Sequence, residues 1–334
     1  MAKNSNISWT DHTWNGWIGC TKVSEGCANC YAAVQDRNRF SKTLGGATRF
    51  EPISHWGPGA PRHRTSEDNW KDPVKWNAAA AKRTAEMEEL RQICDPRRES
   101  GDIWTVRRPR VFCSSLADWL DAEVPIEWLA DLLALIHATP HLDWLLLTKR
   151  PQNFFTRREA AWKWSTCNGK DQPFCDWLRL WGMDGQPPAN VWLGTTVENQ
   201  KRADERIPLL LKIPARIRFL SCEPLLGPIN LRQVPGPGST ALCANAFDGN
   251  ALFIGDIGGT DFAWTPRNMI NWVIAGGESG PGFRPMSLEW LADLAGACEA
   301  AGVAFFCKQD SASKPGLQGS IPAQLWERKQ FPKT

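Results

Sequence analysis

No stretch of the chain approaches the ~20 consecutive apolar residues that a bilayer span requires. The longest candidates, near Leu129 to Ile136 and Trp144 to Leu147, are broken by Asp or Thr within a few positions. A helical membrane protein is therefore excluded as a reading. Met1 to Ser8 is polar and lacks the apolar centre of a secretory signal. The expectation is a soluble cytoplasmic protein whose thiols stay reduced, which removes disulfides from the roles open to its 11 cysteines. Charge of one sign is also in short supply: the net value is +3, too small by itself to mark a nucleic-acid binder. The basic pairs Arg97-Arg98, Arg107-Arg108 with Arg110, and Arg157-Arg158 read as solvated surface charge. Tyrosine is nearly missing, with Tyr31 alone against 19 tryptophans, so the bulky aromatic load of the interior falls on tryptophan.

What is present is a concentration of thiols. Cys20, Cys27 and Cys30 lie within eleven residues, after a short apolar run that reads as a strand (Trp14 to Ile18) and before a polar segment that reads as a helix (Ala32 to Phe40). Three cysteines on one strand-to-helix loop are able to hold a soft metal centre. Zinc prefers four ligands, and the loop stops at three, with His12 available as a fourth. An iron–sulfur cluster on three thiolates leaves one iron open, which is useful where something must bind there. Unligated core cysteines are the third option. Cys113, Cys222 and Cys307 sit in or at the end of apolar runs, where free cysteine behaves as a small hydrophobe, and no second C-x2-C pair accompanies them.

Further along, short apolar runs alternate with helical patterns. Strands are predicted at Trp14 to Ile18, Arg110 to Ser115, Asp143 to Thr148, Val191 to Gly194, Ile217 to Leu220, Trp272 to Ala275 and Val303 to Cys307. Helices are predicted at Asp72 to Ile93, Pro125 to Ala134, Asn199 to Leu211 and Ser287 to Ala300, the first opened by Asp72 as N-cap with Pro73 in the first turn. The alternation calls for an α/β fold with a parallel sheet, a partial or complete (β/α) barrel. The hexapeptide Glu127 to Leu132 recurs as Glu289 to Leu294, at the same distance behind its strand, as two equivalent units of one barrel would require. A single domain over residues 1–334 is expected, with insertions at about 39–70, 151–190 and 228–271 that serve as candidate lids.

In such a barrel the chemistry gathers at the carboxyl ends of the strands. Polar residues stand at six successive ends: Ser114, Ser115 and Asp118; Lys149 and Arg150; Thr195, Thr196 and Glu198; Glu223; Glu278 and Ser279; Lys308 and Gln309. Each alone reads as a loop cap, but together they read as one site.

The loop Gly19-Cys20-x6-Cys27-x2-Cys30-Tyr31-Ala32 resembles the cluster loop of radical S-adenosylmethionine (SAM) enzymes. The commoner spacing there is C-x3-C-x2-C, and the longer first gap is similar to that of a phage-associated family. Leu147 to Pro151, Leu193 to Asn199, Phe219 to Pro228 and Gly276 to Gly280 extend the likeness along most of the chain. The resemblance implies a barrel of the radical SAM type in which Cys20, Cys27 and Cys30 hold a [4Fe-4S] cluster whose open iron binds SAM, with a flavodoxin-type reductant as electron donor. It implies a 5′-deoxyadenosyl radical that takes a hydrogen atom from substrate. By analogy Glu198 or Glu223 would hold ribose hydroxyls, Lys149 or Arg150 would meet the SAM carboxylate, and Ser114, Thr195, Gly276, Gly277 and Glu278 would line the cofactor. The superfamily's Gly-Gly-Glu follows the second strand, where this chain has Ser114-Ser115-Leu116, so its amino-group role is not carried over to Glu278. Cys222 and Tyr31 are the candidates to quench a product radical. The phage likeness points to an isomerase or modification enzyme acting on an amino-acid-decorated thymidine in bacteriophage DNA, as modified nucleoside or polymer. The rivals are a radical SAM lyase of the photoproduct-repair type and a non-catalytic, zinc-stabilised nucleic-acid-binding protein.

Overall fold

The computed structural model describes residues 5–94, 106–235, 241–244, 246–247, 251–253 and 269–333. In chain order the strands are β1 (His12–Thr13), β2 (Trp17–Ile18), β3 (His63–Arg64), β4 (Arg110–Cys113), β5 (Asp143–Thr148), β6 (Val191–Thr196), β7 (Ile217–Cys222), β8 (Ala241–Ala244), β9 (Ala251–Phe253), β10 (Trp272–Ala275) and β11 (Ala304–Cys307). The helices are α1 (Tyr31–Asn38), α2 (Glu67–Cys94), α3 (Ile126–His137), α4 (Phe154–Cys167), α5 (Gln172–Met183), α6 (Gln200–Lys212), α7 (Leu288–Ala300) and α8 (Ala323–Trp326).

Seven strands form one parallel sheet in the order β1-β4-β5-β6-β7-β10-β11, curled into a half-barrel whose two edge strands do not pair with each other. Two-sided burial explains the continuous apolar runs. Along β7, Leu220 and Cys222 join the core shared with the helices, while Ile217 and Phe219 join a second core inside the curl. That inner core is aromatic: Trp9 lies 4.7 Å from Phe112 and 6.1 Å from Trp272, ring centre to ring centre. Gly194 on β6 is required there, since a Cβ would sit 2.4 Å from the Phe219 ring. Tryptophan does serve as core: Trp9, Trp14, Trp17, Trp119, Trp144, Trp181 and Trp272 are fully buried.

The repeated hexapeptide opens α3 and α7, and presents equivalent leucines, Leu129 and Leu132 in one and Leu291 and Leu294 in the other, to the core behind β4 and β10. The two helices are thus matched units of one sheet.

Three expectations need correction. The first sheet strand is His12–Thr13, not Trp14 to Ile18; the ladder ends with Trp14 N–H donating to Phe112 O at 3.0 Å. Asn15 then diverts the chain: its side-chain oxygen accepts from Leu116 N at 2.7 Å, and Trp17–Ile18 pairs antiparallel with His63–Arg64. Helix α2 starts at Glu67, five residues before the predicted N-cap, and keeps Pro73 inside. Proline lacks the N–H that would bond the Asn69 carbonyl, and the Trp14 indole N–H supplies that bond instead at 2.9 Å. Finally, 151–190 is not a lid. It forms α4 and α5, which bury Phe154, Ala161, Phe174, Leu178 and Trp181 in the helix-side core. Much of the segment predicted at 228–271 lies outside the described residues, which include an antiparallel β8–β9 pair.

The basic pairs are also put to internal use. Arg107 makes two 2.7 Å bonds to Asp11, Arg157 donates to Val124 O at 2.6 Å, and Arg158 is buried against α5. Arg97-Arg98 lies outside the described residues. Among the described residues no helix is long and apolar enough to cross a membrane.

Candidate functional site: the cysteine loop at the strand ends

The three-cysteine loop lies over the carboxyl ends of the parallel strands and is braced from four of them. Gly19 N–H donates to Leu116 O at 3.1 Å, and the Tyr31 hydroxyl donates to Ser115 O at 2.6 Å, both beyond β4. At the end of β5, Arg150 donates to Cys20 Sγ at 3.4 Å and to Thr21 O at 2.5 Å. Beyond β6, Glu198 accepts from the Ser24 hydroxyl at 2.7 Å. Beyond β10, Glu278 accepts from Asn29 Nδ2 at 2.9 Å. The loop can make this approach because Gly19 adopts φ +115°, a conformation glycine tolerates, and has the His55 carbonyl where a Cβ would be.

Each brace is itself held. Arg150 and Asp118 form a buried ion pair at 3.0 Å, and Asp118 also accepts from Thr148 Oγ1 at 2.7 Å and Lys149 N at 2.9 Å. Glu198 is fully buried, and Arg206 from α6 donates to its second oxygen at 2.8 Å and to Thr196 O at 2.7 Å. Arg284 grips both oxygens of Glu278 and reaches Glu25 O at 3.0 Å. Burial raises the Glu278 carboxyl, but the hydrogen bonds from Arg284 and Asn29 outweigh it and hold the group below the usual carboxylate range. Glu25 in turn is held by Arg202 at 2.7 Å and Asn199 at 2.5 Å, at the start of α6.

The thiols differ in environment. Burial, reinforced by the charge of Asp118, pushes Cys20 up to about 12 despite Arg150. Burial also opposes ionisation of Cys27, but the Lys149 ammonium and hydrogen bonds at Val23 and Ser24 outweigh it and bring that thiol below its ordinary value. All three thiols are free and half-buried. Among the described residues no three His, Cys, Asp or Glu side chains are gathered as a set for one metal ion. Three thiols with cations at Lys149 and Arg150 beside two of them make a soft donor set, of the kind that suits zinc or an iron–sulfur cluster.

The remaining expected residues divide. Glu223 stands at the mouth, where its Oε1 is ion-paired with Lys308 Nζ at 2.9 Å. Lys149 Nζ donates to Thr196 Oγ1 at 3.2 Å. Thr195 spends its hydroxyl on Thr148 O at 2.9 Å, and buried Ser114 faces Cys113 Sγ at 3.1 Å. The Gly276-Gly277 approach is used internally: Gly277 N–H donates to Gln309 O at 2.9 Å, and a Cβ on Gly277 would sit 2.3 Å from Ser311 N. Cys222 is not at the rim; it is fully buried in the helix-side core, where burial raises its thiol well above the ordinary value.

Ser24, Asn29, Arg206 and Arg284 were given no role by the sequence reading. Ser24 and Asn29 stood inside the quoted loop, and Arg284 follows the Gly-Gly-Glu run by six residues, but their partners are 174 to 249 positions away for the loop pair.

Fold and rim together define an α/β protein with a curled sheet of seven parallel strands and a three-cysteine loop braced at its carboxyl end. The chain belongs to the family described as "Protein of unknown function (DUF5131)", whose profile matches residues 4–319. Neither the curated proteins nor the solved structures give a match.

Proposed function

We propose that this chain is a radical SAM enzyme in which Cys20, Cys27 and Cys30 hold a [4Fe-4S] cluster and SAM docks at the mouth of the half-barrel. The observation that carries the reading is the bracing of one three-thiol loop from four strand ends at once. Bound together, the cluster and SAM supply one-electron chemistry that ends in hydrogen-atom abstraction.

The chain's own residues divide the remaining work. Lys149 and Arg150 place cations beside the Cys27 and Cys20 sulfurs and offset the charge of thiolates. Glu223, held in place by Lys308 at 2.9 Å, is the acceptor for a ribose hydroxyl or the amino group of SAM. Glu198, both oxygens engaged, keeps the loop in place. Phe112, Phe219 and Trp272 close the floor of the curl with apolar rings and exclude water from below.

The substrate reading is an amino-acid-decorated thymidine in phage DNA, rearranged by an isomerase reaction; a host cytoplasm and a flavodoxin-type electron donor belong to the same proposal. Anaerobic reconstitution is expected to give brown protein with a broad absorption near roughly 400 nm, from thiolate-to-iron charge transfer, and SAM cleavage on reduction. Colourless protein carrying one zinc, inert toward SAM, would defeat the proposal. Turnover of a peptide with none of modified DNA would defeat its substrate half.

A further inference from the structure

We infer that residues 37–50, directly beyond the cysteine loop, form a phosphate-binding strap for DNA; this rests on the proposed function and names the surface that presents its polymeric substrate. The segment carries Arg37, Arg39, Lys42 and Arg49 and no acidic residue. All four cations are exposed, and none lies within 4.0 Å of a carboxylate among the described residues. Arg62, Arg107, Arg150, Arg202, Arg206 and Arg284 are by comparison committed to carboxylates, while Arg83, Lys201, Lys314 and Lys333 are exposed without one but lie scattered along the chain rather than in one stretch. Position in the last turn of α1 accounts for Arg37 through the helix dipole, but for none of the other three.

The strap is tied to the site. Helix α1 starts at Tyr31, next to Cys30, so Arg37 lies about 9 Å along the axis at ~1.5 Å per residue. Ile53 N–H donates to Ser41 O at 2.8 Å, and Gly57 N–H to Cys20 O at 3.0 Å, which returns the chain to the first cysteine. Of the two carboxylates that flank the strap, Asp36 is turned inward onto His55 at 2.7 Å, and Glu51 is exposed at the far end.

Its aromatic content fits the same partner. Phe50, beside Arg49, is 92% exposed, and a phenyl ring in water beside a cation is what base stacking uses. A base processed inside the half-barrel must leave its stack. Its neighbours' phosphates then stay two or three nucleotide steps away at roughly 3.4 Å each, comparable with the ~9 Å that separates Arg37 from the start of α1.

The test is fluorescence anisotropy of iron-free, SAM-free protein with a labelled 20-mer, duplex and single-stranded, between 50 and 200 mM salt. Each phosphate neutralised contributes about 0.9 to the log–log salt slope on duplex and ~0.7 on single strands. The variant Arg37→Gln/Arg39→Gln/Lys42→Gln/Arg49→Gln is expected to lower the duplex slope by about 3 to 4 and to weaken binding at least ~100-fold at the lowest salt. SAM cleavage by reconstituted protein stays unchanged, and melting changes by no more than the small contribution that Arg37 makes at the end of α1. Phe50→Ala weakens single-strand binding about tenfold. If the quadruple variant does not fold, the pairs Arg37/Arg39 and Lys42/Arg49 each lower the slope by about 2. An unchanged slope and affinity overturns the inference. So does wild-type protein that ignores DNA, or that binds RNA of the same sequence or phosphatidylglycerol vesicles in its place. Absence of iron and SAM from the assay separates this outcome from failure of the radical SAM reading.

Discussion

Gly26 to alanine tests how the cysteine loop is positioned. The added Cβ would stand 2.3 Å from Glu198 Oε1 and 2.5 Å from its Cγ. Carboxylate ends usually swing away from such a contact at little cost. This one is fully buried, with one oxygen on Ser24 and the other on Arg206, so relief requires breaking a charged hydrogen bond or lifting the loop. Overpacking of this kind costs about 1–3 kcal/mol, and a hydrogen bond to a charged group is worth about 1.5–3 kcal/mol. With an unfolding entropy of ~2.1 cal/mol/K per residue, hence about 0.7 kcal/mol/K for the chain, Tm is expected to fall by roughly 2–4 °C if the clash is relieved locally. Iron content after reconstitution should fall much further, because the loop that moves carries the thiols. In a Glu198→Asp background, where the carboxylate is withdrawn by one methylene, the same substitution should cost less than about 0.5 kcal/mol, the signature of direct coupling in a double-mutant cycle. Calorimetry and iron assay on the four proteins decide the matter: G26A with wild-type melting and full iron would refute the clamp.

Other substitutions separate the braces from the bystanders. Arg150→Leu strands the buried Asp118 charge and should cost about 3–5 kcal/mol, read as a melting shift together with poor iron incorporation; Arg150→Lys should recover part of both. Cys222→Ala removes a buried thiol from the helix-side core, so thermal stability should drop by about 1 kcal/mol while the products of any turnover stay the same, and a changed product distribution would put that thiol back at the site. Burial raises the Asp11 carboxyl, but hydrogen bonds from Arg107 and the Arg110 backbone bring it from 3.8 to about 2. Its folded pKa is below its unfolded one, so its contribution is present above pH ~4 and lost as pH falls toward 2. Screening at the exposed Arg107 reduces that contribution to about 1 kcal/mol. Asp11→Asn should therefore destabilise at pH 7 and cost little at pH 2.5 by urea unfolding, and an equal loss at both would disprove the linkage.

The sheet was readable where strands are buried on both faces. Asp143 to Thr148 and Ile217 to Leu220 show unbroken apolar runs, and the repeated hexapeptide marked two matched units. The two-residue β1 was not readable, because tryptophans on either side of Asn15-Gly16 look like one strand until Asn15 is seen turning to Leu116. The start of α2 was hidden for a similar reason: Pro73 reads as a first-turn residue unless the Trp14 indole is known to replace its missing donor. That Cys20, Cys27 and Cys30 share one loop was legible from their spacing, and that Lys149, Arg150 and Glu198 stand just behind strands was legible from the alternation of apolar runs. Cys222 misled because an alternating strand sends neighbouring residues to opposite faces, and a one-residue offset separates the rim from the helix-side core. Ser24, Asn29, Arg206 and Arg284 carry no local signal, since their meaning comes from partners that only folding brings near.

The most direct measurement is iron per chain and SAM cleavage for Cys27→Ala and Cys30→Ala, reconstituted beside the wild type under reducing, oxygen-free conditions. Close to four irons per chain in the wild type, with loss of both iron and cleavage in each variant, is the expected result. Full iron and undiminished cleavage without either thiol would contradict a cluster held by this loop.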